Sequence, residues 1–186
     1  MKSKLRFFFL RIHFGALALC LVNYFIQYIT KFGLSETVEF VVALTIVISA
    51  IVLFFLYRKP FARINYYFSL YVGTLSLIIA TTLLNGFLGI ILIHMFVVPL
   101  IPLSEDYRQQ DIIFYRADKG FMAACCTYTI KERYWGIFEK DLGTTDRNYG
   151  LMNLESIDIQ ITETEVILSY ETGVDDLGIQ KIIAPR

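Results

Sequence analysis

Charge and histidine are what this sequence has least of. Asp, Glu, Lys and Arg make up 18% of its 186 residues, where a soluble globular domain runs nearer a quarter, so part of the chain has lipid as its solvent. Only two histidines occur, His13 and His94, and both fall in apolar stretches. The polar C-terminal half therefore holds no imidazole to act as base for Cys125, Cys126 or any serine. The metalloprotease HExxH, the phosphate-binding GxxxxGK[ST] and the dinucleotide-binding GxGxxG are missing, as is any Cys/His metal cluster. Carboxylates such as Glu132 and Glu139 alternate along a strand pattern, which marks a solvated face more readily than an acid/base pair. No catalytic residue, cofactor or metal is expected, and the chain is not expected to be an enzyme.

A clustered basic surface is missing from the polar half as well. The net charge of zero hides an asymmetry. Through Ser104, Lys2, Lys4, Arg6, Arg11, Lys31, Arg58, Lys59 and Arg63 face only Glu36 and Glu39, a net of +6. From Glu105 onward nine basic residues meet fifteen acidic ones, a net of −6. That acidity excludes nucleic acid as a partner. There is no internal repeat, low-complexity tract or coiled-coil heptad. Composition and charge break at the same point, which divides a transmembrane domain, 1–103, from a small soluble β-rich domain, 104–186.

Long apolar runs are what the chain has in plenty. MKSKLR followed by FFFL resembles the start of a signal peptide, but Arg11 and His13 interrupt it and the run continues past Ala18. Leu17-Ala18-Leu19-Cys20 approaches a lipoprotein cleavage box, with bulky Leu19 where a small residue belongs. Residues 7–28 read instead as a first membrane helix, since about 20 apolar residues cross roughly 30 Å of hydrocarbon. TKFGLSET (30–37) reads as a loop, with Ser35 as a helix N-cap, and 38–57 as a second span. The stretch from Tyr66 to Leu103 would be roughly 57 Å long as one helix, nearly twice the hydrocarbon thickness. Asn85-Gly86 is its strongest turn signal and divides it into spans 64–84 and 87–103.

Basic residues collect on the cytoplasmic side of a membrane. They precede the first span and lie between the second and third, while the connection at 30–37 carries only Lys31. Four crossings then return the chain to the cytoplasm near Ser104, whereas three would leave the C-terminal half outside. Free thiols at Cys125 and Cys126 fit a reducing cytoplasm. Adjacent on a strand, they point to opposite faces and suit neither a mutual disulfide nor a shared metal.

The C-terminal half reads as short strands: DIIFYRA (111–117), FMAACCTYTIKERYW (121–135), GIFEK (136–140), SIDIQIT (156–162), EVILSYE (165–171) and an edge strand near 177–183. The fifth pairs with the fourth as the best hairpin, and 141–150 reads as a loop. The expected fold class is an α+β membrane protein, a four-helix transmembrane bundle followed by a small antiparallel β-rich domain.

Three groups stand out. His94 falls within the fourth span, where an ionisable side chain is costly, with Asn23, Gln27, Thr81 or Thr82 as bonding neighbours. Asn23, Gln27 and His94 form the intramembrane polar set. Tyr128, Tyr134, Trp135, Phe138 and Tyr149 are a dense aromatic group of the type that dominates protein-binding surfaces. The expected partners are the lipid bilayer and a protein. The expected function is a non-enzymatic integral membrane binding protein of the bacterial cytoplasmic membrane, specifically an immunity protein that neutralises a membrane-active toxin. The alternative is an accessory subunit of a transport or secretion complex.

Overall fold

The computed structural model describes residues 2–58, 63–116, 128–144, 158–161, 166–171 and 177–182. The chain divides into two compact units, Met1–Phe25 with Glu36–Pro102, and Ile26–Ser35 with Leu103–Arg186.

The first unit is helical: α1 (Lys2–Thr30), α2 (Glu36–Tyr57), α3 (Asn65–Leu84) and α4 (Gly86–Phe96), then a 3-10 turn, Val98–Leu100. Helices α1 to α3 are long and apolar enough to cross a membrane. Apolar side chains stand exposed along them, including Leu21, Phe25, Phe55 and Leu70, as lipid-facing residues do. Their shared core is Ala50 and Leu53 of α2 against Phe68 of α3, flanked by Phe9 and Leu10 of α1.

The expected turn is present. Asn85 is extended (φ −147, ψ 94), between Leu84 and Gly86, and the chain folds back so closely that Gly89 packs on the Thr82 backbone. The return helix is shorter than the expected fourth span, 87–103. It covers eleven residues, about 16 Å or half a crossing, because Pro99 and Pro102 cannot continue it.

The second unit holds two antiparallel sheets. The larger has the order β1-β5-β4-β3-β2 and the smaller β6-β7-β8. Strands β2 (Glu105–Gln109), β3 (Ile112–Arg116), β4 (Tyr128–Tyr134) and β5 (Phe138–Thr144) follow one another as hairpins, and β6 (Asp158–Ile161), β7 (Val166–Glu171) and β8 (Leu177–Ile182) form the smaller sheet. The hairpin expected over 156–171 is β6 and β7, with β8 on the edge. Residues Asp141 to Thr144, read as loop, continue β5.

Strand β1 (Phe32–Leu34) comes from elsewhere: it is the connection between α1 and α2. Lys31 closes α1 in a left-handed conformation (φ 59), its N–H donating to the Gln27 carbonyl, and the chain leaves extended. Phe32, Gly33 and Leu34 then pair with Lys140, Glu139 and Phe138. Ser35 is no helix cap, since its hydroxyl is buried with no hydrogen-bond partner. Sequence reading took this segment for a loop and the C-terminal half for a separate domain, whereas the sheet takes a strand from each. Partners in one sheet lie on one side of any membrane that the helices cross. The expected arrangement, with the C-terminal half opposite the α1–α2 connection, does not fit that pairing.

Candidate functional site

Three polar constellations exist among the described residues, two between helices and one on the sheet.

His13 of α1 is fully buried. Its Nδ1 lies 3.1 Å from the Ile46 carbonyl and 3.0 Å from Ser49 Oγ on α2, and its Nε2 lies 3.0 Å from the Tyr67 hydroxyl on α3. A carbonyl only accepts, so Nδ1 carries the proton and Nε2 accepts from Tyr67. Tyr67 then accepts from Tyr71, 2.9 Å away. One imidazole thus ties three helices together in a setting where each unsatisfied group would be costly. The sequence placed His13 in an apolar stretch without seeing this role, because its partners sit 33, 36 and 54 residues away.

Asn23 of α1 donates to Glu39 Oε1 of α2 at 2.7 Å. Glu39 lies in the first turn of α2, where the helix dipole favours a carboxylate. Gln27 packs over Gly33, filling the space a Cβ there would need. The Nδ1 of His94 donates to the Ile90 carbonyl one turn back at 2.9 Å, while Thr81 and Thr82 donate to Leu77 and Ile78 of their own helix. The three intramembrane polar residues singled out by sequence therefore bond at separate places.

The sheet carries the strongest electrostatics. Cross-strand register sets Lys131 opposite Ile113, and Arg133 opposite Glu139. Alternation adds Tyr115 to the same face. Glu139 is 3% exposed. Its Oε1 accepts from the Tyr115 hydroxyl at 2.7 Å and from Arg133 Nε and Nη2 at 3.1 and 2.9 Å. Arg133 Nη2 also donates to Tyr115 at 2.7 Å, and Lys131 Nζ lies 3.8 Å from Glu139 Oε2. Glu105 of β2 completes the group, 3.7 Å from Arg133, so two cations meet two carboxylates. Burial pushes the Tyr115 hydroxyl up in pKa, and its bond to Glu139 adds to the rise. For Arg133, burial pulls the other way, but the bonds to Glu139 and Tyr115 outweigh it and hold the guanidinium charged. Reading Glu139 as a solvated-face carboxylate was therefore wrong. The cluster is an ionic clamp across β3, β4 and β5, and its chemistry is turned inward.

The aromatic group does not form one surface. Tyr128 is buried at the end of β4, and Tyr134 and Phe138 lie against Phe32 of β1, at 5.7 and 5.5 Å between ring centres. Tyr149, Cys125 and Cys126 lie outside the described residues. Trp135 alone projects outward, 89% exposed at the tip of the β4–β5 hairpin. Trp135 and Gly136 both have positive φ, 51 and 76. For Gly136 that is free, and for Trp135 it costs about 1 kcal/mol or more.

No known protein family, characterised protein or solved structure shows significant similarity to the chain.

Proposed function

We propose that this chain is a non-enzymatic, membrane-anchored binding protein whose β sheets stand on the extracytoplasmic face of a bacterial cytoplasmic membrane. There they bind and neutralise a membrane-active toxin. The observation that carries the reading is the pairing of β1 with β5. The basic residues flanking α1 and following α2 orient those ends toward the cytoplasm, which leaves the α1–α2 connection, and the sheet it joins, outside. A toxin that attacks the membrane from outside would meet this domain first.

Two further features support binding over chemistry. The most ionic constellation, Glu139 with Arg133, Tyr115 and Lys131, is buried and bonded within itself, as a structural clamp would be. The polar groups between the helices, His13 with Ser49 and Tyr67 and Asn23 with Glu39, find partners within one chain. An obligate subunit of a larger complex would offer such groups to neighbouring helices, so the satisfaction of these two pairs favours immunity over the accessory-subunit reading, while Asn65 of α3, buried with neither side-chain polar atom bonded, weighs the other way.

Deleting the gene tests this. Deleted cells grown beside toxin-delivering siblings are expected to be killed, and a plasmid copy is expected to rescue them. Unimpaired growth of the deletion strain in that mixture would refute immunity.

A further inference from the structure

The end of the helical unit where α1 begins, α2 ends and α3 begins holds an unanswered amide. Asn65, the first residue of α3, is fully buried, and neither its Nδ2 nor its Oδ1 has a hydrogen-bond partner. Such a group costs free energy until something bonds it, most of all beside lipid. Its surroundings are cationic. Arg6 of α1 donates through Nη2 to the Leu56 carbonyl at 2.6 Å and lies 5.0 Å over the Tyr57 ring. Tyr57 in turn stacks on Phe68, with 6.3 Å between ring centres, and Asn65 lies one turn before Phe68 on the same face of α3. Lys4, Arg58 and Arg63 stand exposed at this end. The only side-chain carboxylates before Glu105 are Glu36 and Glu39. They sit in the first turn of α2, about 27 Å or more from its other end. The start of α3 has neither an acidic residue in its first turn nor a side-chain cap, so the positive end of its dipole adds to the cations.

We propose that this end of the helical unit binds the headgroup of an anionic phospholipid. Asn65 Nδ2 donates to a phosphate oxygen, Asn65 Oδ1 accepts from a headgroup hydroxyl, and Arg6 and Arg63 balance the charge. A phosphodiester that carries a hydroxyl supplies both the acceptor and the donor that one carboxamide needs. The bias of basic residues toward the cytoplasm accounts for the cations alone; the buried amide is what makes them a site. A lipid is favoured over free phosphate because α1, α2 and α3 are long and apolar enough to cross a membrane, which sets their ends at headgroup depth. A helix of a neighbouring subunit would also answer Asn65, but cations gathered without a carboxylate call for an anion. Asn65 lies beneath the surface, so the headgroup enters between the helix ends to reach it. All of these residues belong to the helical unit, so the inference depends neither on immunity nor on where the sheets lie.

Native mass spectrometry of the full-length protein in micelles, with phosphatidylglycerol and phosphatidylcholine added in turn, tests this. Phosphatidylglycerol is expected to bind about tenfold more tightly, the discrimination that one or two charge-assisted hydrogen bonds give. Asn65→Leu is expected to lose most of that preference, yet to melt no lower than the unaltered chain in phosphatidylcholine, since it removes the unanswered amide. Arg63→Gln, at an exposed position, is expected to lose part of the preference and keeps the test open if Asn65→Leu does not fold. Inorganic phosphate at millimolar concentration is expected not to compete. Equal binding of the two lipids would overturn the proposal. A full preference retained in a folded Asn65→Leu, or in Arg63→Gln, would also overturn it and leave only a diffuse basic surface. Displacement of the lipid by inorganic phosphate would overturn lipid as the occupant.

Discussion

The backbone N–H of Ser35, one residue before α2, donates to the carbonyl of Ile137 in the β4–β5 hairpin at 2.9 Å. With the β1–β5 ladder, this bond makes the α1–α2 connection part of the C-terminal sheet. Each crossing moves the chain to the other side of the membrane, so an even number must separate β1 from β2. Helices α2 and α3 are each long and apolar enough to supply one. Helix α4, at eleven residues, is shorter than either, and the even count holds if it adds no third crossing.

Breaking the sheet clamp is expected to be expensive. Glu139→Leu would leave Arg133 and Lys131 facing each other without their carboxylate, a loss of about 3–5 kcal/mol. Thermal unfolding of the detergent-solubilised protein should show a large drop in midpoint. The triple variant Lys131→Met, Arg133→Met, Glu139→Leu should recover most of it. Equal destabilisation of the two variants would show that shape, not charge, is what the cluster supplies.

Stability should also fall in alkali. The Tyr115 hydroxyl is raised by burial and by its bond to Glu139, so above about pH 10 the unfolded chain releases this proton and the folded chain keeps it. The native state then binds more protons, and a rise in pH favours unfolding. Tyr115→Phe, less stable at neutral pH, is expected to show a shallower loss between pH 10 and 12. Identical slopes would remove Tyr115 as the source.

The sequence made the first three helices legible because apolar length is a local property. The β6–β7 hairpin was equally plain, since SIDIQIT and EVILSYE alternate with period two. Asn85-Gly86 marked the break after α3, and the regular helix that follows is shorter than the assigned 87–103, ending before the 3-10 turn that holds Pro99. Strand β1 could not be seen at all. Three residues, Phe32 to Leu34, carry no periodicity, and their partners lie more than 100 residues away. The clamp was missed for the same reason, because Glu139 alternating with Lys140 looks like a wet strand until Tyr115 is brought across from β3. The five aromatic residues were read as one group, whereas Tyr134 and Phe138 pack against Phe32 at the base of the hairpin and Trp135 stands exposed at its tip.

The α3–α4 reversal depends on one close contact. A Cβ on Gly89 would meet the backbone of Thr82 at 2.5 Å, and backbone cannot yield as a side-chain tip can. Gly89→Ala is expected to destabilise the fold by about 1–3 kcal/mol. Gly86→Ala, with nothing within 4 Å of its added Cβ, should be nearly silent by the same melting measurement. A silent Gly89→Ala would mean that the two helices do not pack this closely.

Removing the imidazole that joins the helices should cost more than trimming its partner. His13→Ala leaves Ser49 and Tyr67 without their shared partner and opens a cavity, for about 3 kcal/mol. Tyr67→Phe loses one hydroxyl and should cost about 1 kcal/mol. Denaturant titration in micelles would rank them, and a reversed order would contradict the tautomer and bonding assigned to His13.

Sidedness is the most direct test. In a background with Cys20→Ala, Cys125→Ser and Cys126→Ser, single cysteines are introduced at two exposed positions, Asp111→Cys in the β2–β3 turn and Ser3→Cys at the start of α1. Intact bacterial cells are then treated with a membrane-impermeant maleimide. Asp111→Cys is expected to label at once and Ser3→Cys only after the membrane is opened. Protection of Asp111→Cys until lysis, with the protein folded, would contradict an extracytoplasmic sheet and restore the cytoplasmic arrangement.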